Sequence, residues 1–366
     1  MKIALVIFRI GPSHGSILQT YALYNVLKKL GHSVTIINRK DKLSFIYFIK
    51  RSLYRIYKTI RGERFGYIIS TEVIPSKIMK NLNKFVEEHF SKDLKEFSDL
   101  KIKQCGFEAF VVGSDQVWRP KFVQDIAYYY LNFTKSLNNI KRISYAASFG
   151  VDNWEYSNED SVVCKELAQL FDAISVREDS GVELCKKYLG VNAVHVLDPT
   201  MLLDAEDYIS LLGENSISLP QKTLAFSILD NSEKKKCIID TVSSKLGLQP
   251  VSIKADESNL KYVETSIEFW LDEIKKSTFI ITDSFHATVF AIIFNKPFIV
   301  VGNKFRGTGR LSSLLNIFDL ANRMVFEEEN ISWEDLLNQN IDWEKINTHR
   351  SLLKSESLIF LKNNLL

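Results

Sequence analysis

The sequence predicts an α/β protein with two Rossmann-like domains that face a cleft. Three observations lead to this fold class. The chain has 366 residues, which is more than one hydrophobic core usually organises. A strand–helix–strand pattern opens the chain, and a second pattern of the same kind lies in its C-terminal half. Hydrophobic residues make up 46% and charged residues 25%, so the composition is that of an ordinary globular protein.

The first unit begins at the N-terminus. The apolar run 2–8 is typical of a buried parallel strand, and it is too short for a signal peptide. Ser16 is suited to cap a helix that runs to Leu30, because the apolar residues between them recur at helical spacing. Gly31 ends this helix, and residues 34–37 form the next strand.

Four further strands are each followed by a polar or glycine-rich turn. Ligands of open α/β sheets bind beyond the carboxyl ends of the strands, so these turns are expected to line one cleft. The four strands are 107–112, 142–146, 173–176 and 193–197.

A second α/β unit starts near residue 223, after a turn-rich stretch within 201–220. It alternates strands and helices at 223–228, 279–282, 286–294, 298–301 and 310–317. We therefore divide the chain into a first domain, 1–205, and a second domain, 206–345. The tail 346–366 is predicted to be a helix that packs back on the first domain.

Several classes of protein are disfavoured. The net charge of +3 is too small to indicate a nucleic-acid partner. The four cysteines are far apart, which is typical of reduced thiols in a cytoplasmic protein. No apolar run is long enough to span a membrane. Motifs for metal ligation, dinucleotide binding, P-loops and serine hydrolases are missing from the sequence, so no metal or cofactor is expected.

The segment 40–64 is strongly basic and rich in aromatic residues. It carries eight lysines and arginines against two acidic residues, a net charge of +6. One interpretation is a surface that contacts an anionic membrane or a lipid-linked molecule. The other is a helix with a solvated basic face and a buried aromatic face.

His286 is the most informative candidate for catalysis. The segment 280–288 predicts a strand, a short polar turn and a helix whose first turn contains this histidine. The free amides of a helix N-terminus form an anion site, and Ser284 and Phe285 lie there. Histidine exchanges a proton near neutral pH and so suits general acid catalysis. The alternative is a structural histidine that packs the start of the helix.

Two other turns carry candidate residues. Arg177 follows strand 173–176, where a guanidinium can grip a phosphate or carboxylate; the alternative is an ion pair with a nearby acidic residue. After strand 107–112, the turn at Ser114 lets a ligand approach the backbone. Its polar side chains suit sugar hydroxyls and Trp118 suits ring stacking, although a tight turn with Trp118 in the core fits equally.

Seven stretches, taken together, resemble the polysaccharide pyruvyl transferase family. Each is weak alone, but their order and spacing over residues 1–323 make the resemblance specific. They are 15–23 (GSILQTYAL), 111–118 (VVGSDQVW), 143–150 (ISYAASFG), 175–180 (SVREDS), 196–204 (VLDPTMLLD), 281–297 (beginning ITDSFH) and 310–315 (RLSSLL).

The resemblance implies a GT-B-like fold and transfer of a pyruvyl group from phosphoenolpyruvate to two hydroxyls of a sugar. The product is a cyclic ketal in a surface polysaccharide or its precursor, with release of phosphate and no metal requirement. It implies an acceptor-binding first domain and a donor-binding second domain. His286 and Arg177 would be catalytic; Ser284, Phe285, Gly15, Ser16 and Arg310 would bind the donor; Ser114, Asp115, Gln116, Trp118 and Ser148 would bind the acceptor.

Departures from the family pattern occur at four positions. Many relatives carry Asn-Tyr or Asn-Phe where this chain has Ser13-His14, and some carry arginine at the position of Ser284. Ala287 replaces a usual glycine. A donor-binding positive charge would then come from elsewhere, and Arg177, Arg306 and Arg310 are the candidates.

The expected mechanism follows from the donor, since an enol phosphate becomes electrophilic at C2 when His286 protonates C3. Two other functions fit the same fold. One is a glycosyltransferase that uses a nucleotide sugar, and the other is a non-catalytic glycan-binding or assembly protein. The acceptor is free, nucleotide-bound or lipid-linked. The chain is expected in the cytoplasm, and at the inner membrane surface if the acceptor is lipid-linked.

Overall fold

The computed structural model describes residues 1–38, 77–97, 99–213, 222–255, 262–302, 308–327, 329 and 331–366. The basic aromatic segment 40–64 and Arg306 lie outside these ranges. Two parallel sheets, covered by helices, organise the described chain. This confirms the predicted α/β fold with two Rossmann-like domains.

The first sheet has seven strands within the described ranges, in the order β3-β2-β1-β4-β5-β6-β7. All its pairings are parallel, so the carboxyl ends of the strands share one edge. The strands are β1 (Lys2–Val6), β2 (Ser33–Ile37), β3 (Leu94–Lys95), β4 (Ala109–Val112), β5 (Lys141–Ala147), β6 (Ala173–Val176) and β7 (Val194–His195).

The second sheet has five strands in the described ranges, in the order β12-β11-β10-β8-β9, and it is also parallel. Its central strands are fully buried, as expected for a parallel sheet covered on both faces. The strands are β8 (Thr223–Ser227), β9 (Gln249–Ser252), β10 (Phe279–Thr282), β11 (Phe298–Val301) and β12 (Met324–Val325).

Twelve α-helices accompany these strands in the described chain. They are α1 (His14–Lys29), α2 (Lys80–Phe90), α3 (Asp99–Gln104), α4 (Asn158–Ala168), α5 (Asp179–Leu184), α6 (Ala205–Ile209), α7 (Glu233–Leu246), α8 (Ile267–Lys276), α9 (Phe285–Ile293), α10 (Gly309–Ile317), α11 (Trp333–Asn338) and α12 (Trp343–Leu365). None of the described helices is long and apolar enough to cross a membrane. All four cysteines are unpaired, in agreement with their spacing.

Helix α1 starts earlier than predicted. Ser13, not Ser16, is the N-cap, and its hydroxyl accepts a hydrogen bond from the Ser16 amide at 3.3 Å. The predicted start was wrong because both residues are serines and the chain between them has no apolar periodicity. The correction matters for the site, because His14 and Gly15 now occupy the first turn of a helix.

Between the two sheets, the described residues up to 213 contain helical turns. A 3₁₀ turn (Pro199–Leu202) and α6 precede residue 213, and Tyr208 is fully buried there. Its ring packs edge-on against Phe290 of α9 at 4.8 Å, and its hydroxyl donates to the Thr200 carbonyl at 2.8 Å. This described part of the connection is therefore packed against α9.

Helix α12 returns to the first sheet. The Ser357 hydroxyl accepts a hydrogen bond from the Leu197 amide at 3.1 Å, and Phe360 contacts Tyr145 of β5. Lys354 forms an ion pair with Asp204 at 2.6 Å.

Candidate active site

His286 lies in the first turn of α9, directly after β10. The helix begins there because the Ser284 hydroxyl caps the Ala287 amide at 3.5 Å. The amides of Phe285 and His286 make no hydrogen bond within the described chain. This end of α9 therefore presents free N–H groups and the positive end of the helix dipole, as the sequence predicted.

The first turn of α1 meets the first turn of α9. A Cβ atom at Gly15 would overlap the His286 imidazole, so only glycine allows the two helix ends to approach so closely. Gly15 lines the cleft between the sheets, whereas Ser16 is buried and does not. The predicted direct contact of Ser16 with a donor is thus not available in this structure.

Asp198 is the centre of a buried network beneath this contact. Its Oδ1 accepts from the Thr200 amide at 3.0 Å and the Thr200 hydroxyl at 2.6 Å. Its Oδ2 accepts from Arg177 at 2.8 Å and from the amide of Gln19, and it lies 3.8 Å from His286 Nε2. Burial alone would raise the pKa of Asp198, but His286, Arg177 and Thr200 outweigh it and hold that pKa below its usual value.

Arg177 lies under the cleft and does not line it. Its side chain is 1% exposed and forms an ion pair with Asp198, with Asp115 Oδ1 3.7 Å from Nη2. Burial opposes its charge, yet Asp198 and Asp115 raise its pKa overall. The geometry favours the ion-pair interpretation of Arg177 over a direct grip on a ligand.

The cleft encloses about 320 Å³ and is bordered by both sheets. Arg310 and Lys254 bring two positive charges to its lining, and Asp115 and Asp283 bring two carboxylates. The guanidinium carbons of Arg177 and Arg310 lie 4.4 Å and 5.7 Å from the centre of the Phe285 ring. Phe285 therefore holds the two guanidinium groups in place through cation–π contacts.

The polar turn after β4 is only partly available to a ligand. Asp115 and Gln116 line the cleft. Ser114 and Ser148 are buried, and their hydroxyls donate to the Ala146 carbonyl at 2.7 Å and to Glu178 at 3.0 Å. The interpretation of these two serines as direct acceptor contacts is therefore corrected.

Trp118 belongs to the core. It is 0% exposed, stacks on Tyr130 at 4.7 Å and donates its indole N–H to the Tyr129 carbonyl at 3.0 Å. Stacking on a sugar ring is thus excluded by the packing around it. Gly113 precedes this turn with φ +138, and a Cβ there would overlap the Tyr145 carbonyl. Glycine is needed at position 113 because the chain there passes close to the backbone of β5, and this contact involves no ligand.

Both histidines in the cleft are held neutral. Burial lowers the pKa of His286 to about 4, with Asp198 opposing and Arg177 reinforcing the shift. Burial also lowers the pKa of His14 to about 4, opposed by a hydrogen bond to Thr265. Burial, reinforced by Arg177, lowers the pKa of Arg310 to about 10, so it stays charged at neutral pH.

Sequence reasoning missed four residues of the site: His14, Gln19, Asp198 and Lys254. A signal existed for Asp198, because it follows β7 in the family-like stretch 196–204. None existed for Lys254, since its position beside His14 depends on how the two sheets face one another. Among the described residues, no group of His, Cys, Asp and Glu is placed to hold a metal ion.

Several solved structures are similar to the chain over nearly its whole length. Arabidopsis thaliana UGT89C1 complexed with UDP-L-rhamnose has a TM-score of 0.54 at 9% identity, covering 98% of this chain and 97% of that chain. Medicago truncatula UGT71G1 complexed with UDP-glucose has a TM-score of 0.50 at 10% identity, covering 99% and 97%. The spinosyn rhamnosyltransferase SpnG has a TM-score of 0.50 at 8% identity, covering 99% of both chains. At such identities the likeness shows the fold alone, which is GT-B-like.

No curated protein matches the chain in sequence. A family model described as polysaccharide pyruvyl transferase matches residues 14–304, a span that runs from the first turn of α1 past the end of β11. The matched span contains His286, Asp198, Arg177 and Gly15, the residues that meet beneath the cleft. The chain belongs to the polysaccharide pyruvyl transferase family.

Proposed function

We propose that the chain transfers a pyruvyl group from phosphoenolpyruvate to two hydroxyls of a sugar, forming a cyclic ketal and releasing phosphate. The observation that carries the proposal is the position of His286, beside a free helix N-terminus in a cleft that Arg310 and Lys254 also line. The phosphate and carboxylate of the donor suit the free amides of this helix and these two cationic side chains. No further cofactor enters the proposal.

The donor's anionic groups would lie against the α9 amides and Arg310. Arg310 is the described arginine that lines the cleft, and its Nε atom is buried without a hydrogen bond. An unpaired buried donor of this kind is costly unless a ligand occupies it. We therefore assign to Arg310 the charge that some relatives place at the position of Ser284.

His286 would supply the proton that makes C2 electrophilic. Its buried Nε2 atom faces Asp198 at 3.8 Å and makes no hydrogen bond, while Nδ1 lies on the Gly15 side of the ring. Because Nε2 faces Asp198, we assign the proton exchange with a molecule in the cleft to Nδ1. A bound phosphate and carboxylate would raise the pKa of His286, and Asp198 would stabilise the imidazolium. Arg177 acts on this step as a positioning residue, through Asp198.

The acceptor would enter beside Asp115 and Gln116, whose polar side chains suit sugar hydroxyls. We propose that it is part of a surface polysaccharide or its precursor, built in the cytoplasm. The basic aromatic segment 40–64 supports a lipid-linked acceptor at the inner membrane surface, because eight positive charges would attract an anionic leaflet. Nucleic acid is not a partner in this proposal.

Phosphate release tests the function directly. The full chain is incubated with phosphoenolpyruvate and a panel of free and lipid-linked glycans, and both phosphate and the pyruvylated product are measured. His286→Gln should lower the rate by about 10²–10⁴, the usual contribution of a general acid. Calorimetric binding of a nucleotide sugar, with no binding of phosphoenolpyruvate, would instead identify a glycosyltransferase. A His286→Gln rate within about tenfold of wild type would remove the proton-transfer role.

A further inference from the structure

His14 is a second histidine that lines the same cleft as His286. It stands in the first turn of α1, directly before Gly15, whose Cα packs against the ring of His286. Its ring stacks on Trp270 of α8 at 5.5 Å and 9°, and both residues line the cleft. The stacking fixes the plane of the imidazole.

The hydrogen bonds of His14 decide which nitrogen carries the proton. Nε2 lies 2.9 Å from both the carbonyl and the hydroxyl oxygen of Thr265. The Thr265 hydroxyl donates its own proton to the Ile253 carbonyl at 3.0 Å, so it can only accept from His14. A carbonyl also only accepts. Nε2 is therefore the protonated nitrogen, and Nδ1 of the neutral ring carries a lone pair.

Nδ1 makes no hydrogen bond within the described chain. Since His14 lines the cleft and Nε2 is bonded to Thr265, Nδ1 is the polar atom that a bound molecule can reach. Burial of the ring, reinforced by the nearby positive charge of Lys254, lowers the pKa of His14 and keeps the imidazole neutral at physiological pH. A neutral, oriented imidazole with a free lone pair is suited to accept a proton.

We propose that His14 is the general base that deprotonates the first attacking hydroxyl of the acceptor sugar. This inference rests on the proposed pyruvyl transfer and adds a second histidine to it. In this proposal one histidine acts at each of the two carbons of the donor's double bond. His286 gives a proton to C3, and His14 takes a proton from the oxygen that attacks C2.

The protons balance over the two stages. In the first, His286 protonates C3, the sugar oxygen bonds to C2, and its proton moves to His14 Nδ1. In the second, the bond from C2 to the phosphate oxygen breaks and His14 returns its proton to the departing phosphate. The second hydroxyl then bonds to C2 and its proton restores His286. Both hydroxyl protons are accounted for. The proton of the second hydroxyl replaces, on His286, the proton that is now in the new methyl group. The proton of the first hydroxyl leaves on phosphate.

A purely structural role for His14 is the competing explanation, because its bond to Thr265 joins the two sheets. Asn81 offers a matched control. Its amide donates to the Glu264 carbonyl at 2.8 Å, one residue from Thr265, and it does not line the cleft. Asn81→Ala removes a hydrogen bond between the same parts of the chain while leaving both histidines in place.

The test uses the full chain with phosphoenolpyruvate and an acceptor on which wild type releases phosphate. His14→Gln keeps a donor for Thr265, and His14→Phe keeps the stacking on Trp270; both should lower kcat by about 10²–10⁴ with the KM for phosphoenolpyruvate within about threefold. Asn81→Ala should keep kcat within about threefold. In His14→Ala, added imidazole should restore activity, whereas pyrazole, a ring of the same size but much weaker basicity, should not.

Failures of the two proposals are distinguishable. If wild type neither binds phosphoenolpyruvate nor releases phosphate with any acceptor, the pyruvyl transfer itself is wrong, and the role of His14 with it. If wild type is active and His14→Gln and His14→Phe keep kcat within about threefold, only the base is refuted. Equal rescue of His14→Ala by imidazole and pyrazole would show that His14 fills space, and would also refute the base.

Discussion

The carboxylate of Asp198 should set how readily His286 carries its proton. Asp198→Asn keeps the shape of the side chain and removes its charge, 3.8 Å from His286 Nε2. Two unit charges at that separation interact by about 4 kcal/mol at an effective dielectric constant of about 20. At 1.36 kcal/mol per pKa unit, this is a fall of about 3 units in the pKa of His286. The unshielded charge of Arg177 would act in the same direction.

We therefore expect Asp198→Asn to lower kcat for phosphate release at pH 7 by about 10²–10³, through loss of the imidazolium form. The variant also leaves Arg177 buried without a carboxylate at Nη1, which should lower the free energy of unfolding by about 3–5 kcal/mol. Activity is measured at a temperature where near-ultraviolet circular dichroism shows the variant to be folded.

Arg323→Gln separates the two effects. Arg323 is also buried, and it donates to the carbonyls of Leu336 at 3.1 Å and Gln339 at 2.6 Å, away from the cleft. Its loss should lower stability and leave the kcat of the folded protein unchanged. If folded Asp198→Asn retained kcat within about fivefold of wild type, the coupling between Asp198 and His286 would be refuted.

Three other predictions follow from the geometry of the cleft. Gly15→Ala should displace the imidazole of His286, since the added methyl overlaps it, and lower kcat about 10²-fold with KM little changed; an unchanged kcat would contradict this. Arg310→Gln should raise the KM for phosphoenolpyruvate about 10- to 100-fold, the value of a charge-assisted hydrogen bond, and steady-state kinetics would detect it. His14 and His286 have pKa values of about 4 in the folded protein, against 6.5 for an unperturbed histidine. The unfolded chain therefore binds more protons than the folded chain between these pH values, and stability falls as the pH is lowered from 6.5 towards 4. Each histidine should account for about 2 kcal/mol of the fall in the free energy of unfolding between pH 7 and pH 5. Urea unfolding of His14→Gln at both pH values should show a fall in the free energy of unfolding that is smaller than that of wild type by this amount. An equal fall in the two proteins would contradict the claim that burial lowers the pKa of His14.

Local sequence patterns predicted the bounds of a helix or strand well where a short apolar run or a single capping residue determines them. The bounds of β6, β10 and β11 agree with the prediction. The sequence offers Asp283 and Ser284 as caps of α9, and Ser284 is the one that caps it. These features depend on short apolar runs and on one hydroxyl near an amide, which are readable from neighbouring residues.

Contacts between distant segments were not predictable in the same way. The bond from Arg177 to Asp198 joins the ends of two strands, and its partner choice depends on the register of β6 against β7. Trp118 was assigned to a ligand because an aromatic side chain after a polar turn suits either role, and only the packing of Tyr130 against it decides. The contact of Gly15 with His286 required the mutual position of both sheets.

The return of α12 to the first sheet has a practical consequence for exchanging parts between relatives. The chain enters the second sheet through α6 and leaves it through α12, so the unit around that sheet is an insertion within the fold. A chimaera that joins the front half of this chain to the back half of a relative would pair the first sheet with a foreign helix. It would lose the bond from Leu197 to Ser357 and the ion pair of Lys354 with Asp204. Replacing only the internal unit between Leu212 and Ile341 would preserve both contacts and exchange the half of the cleft that contains His286 and Arg310.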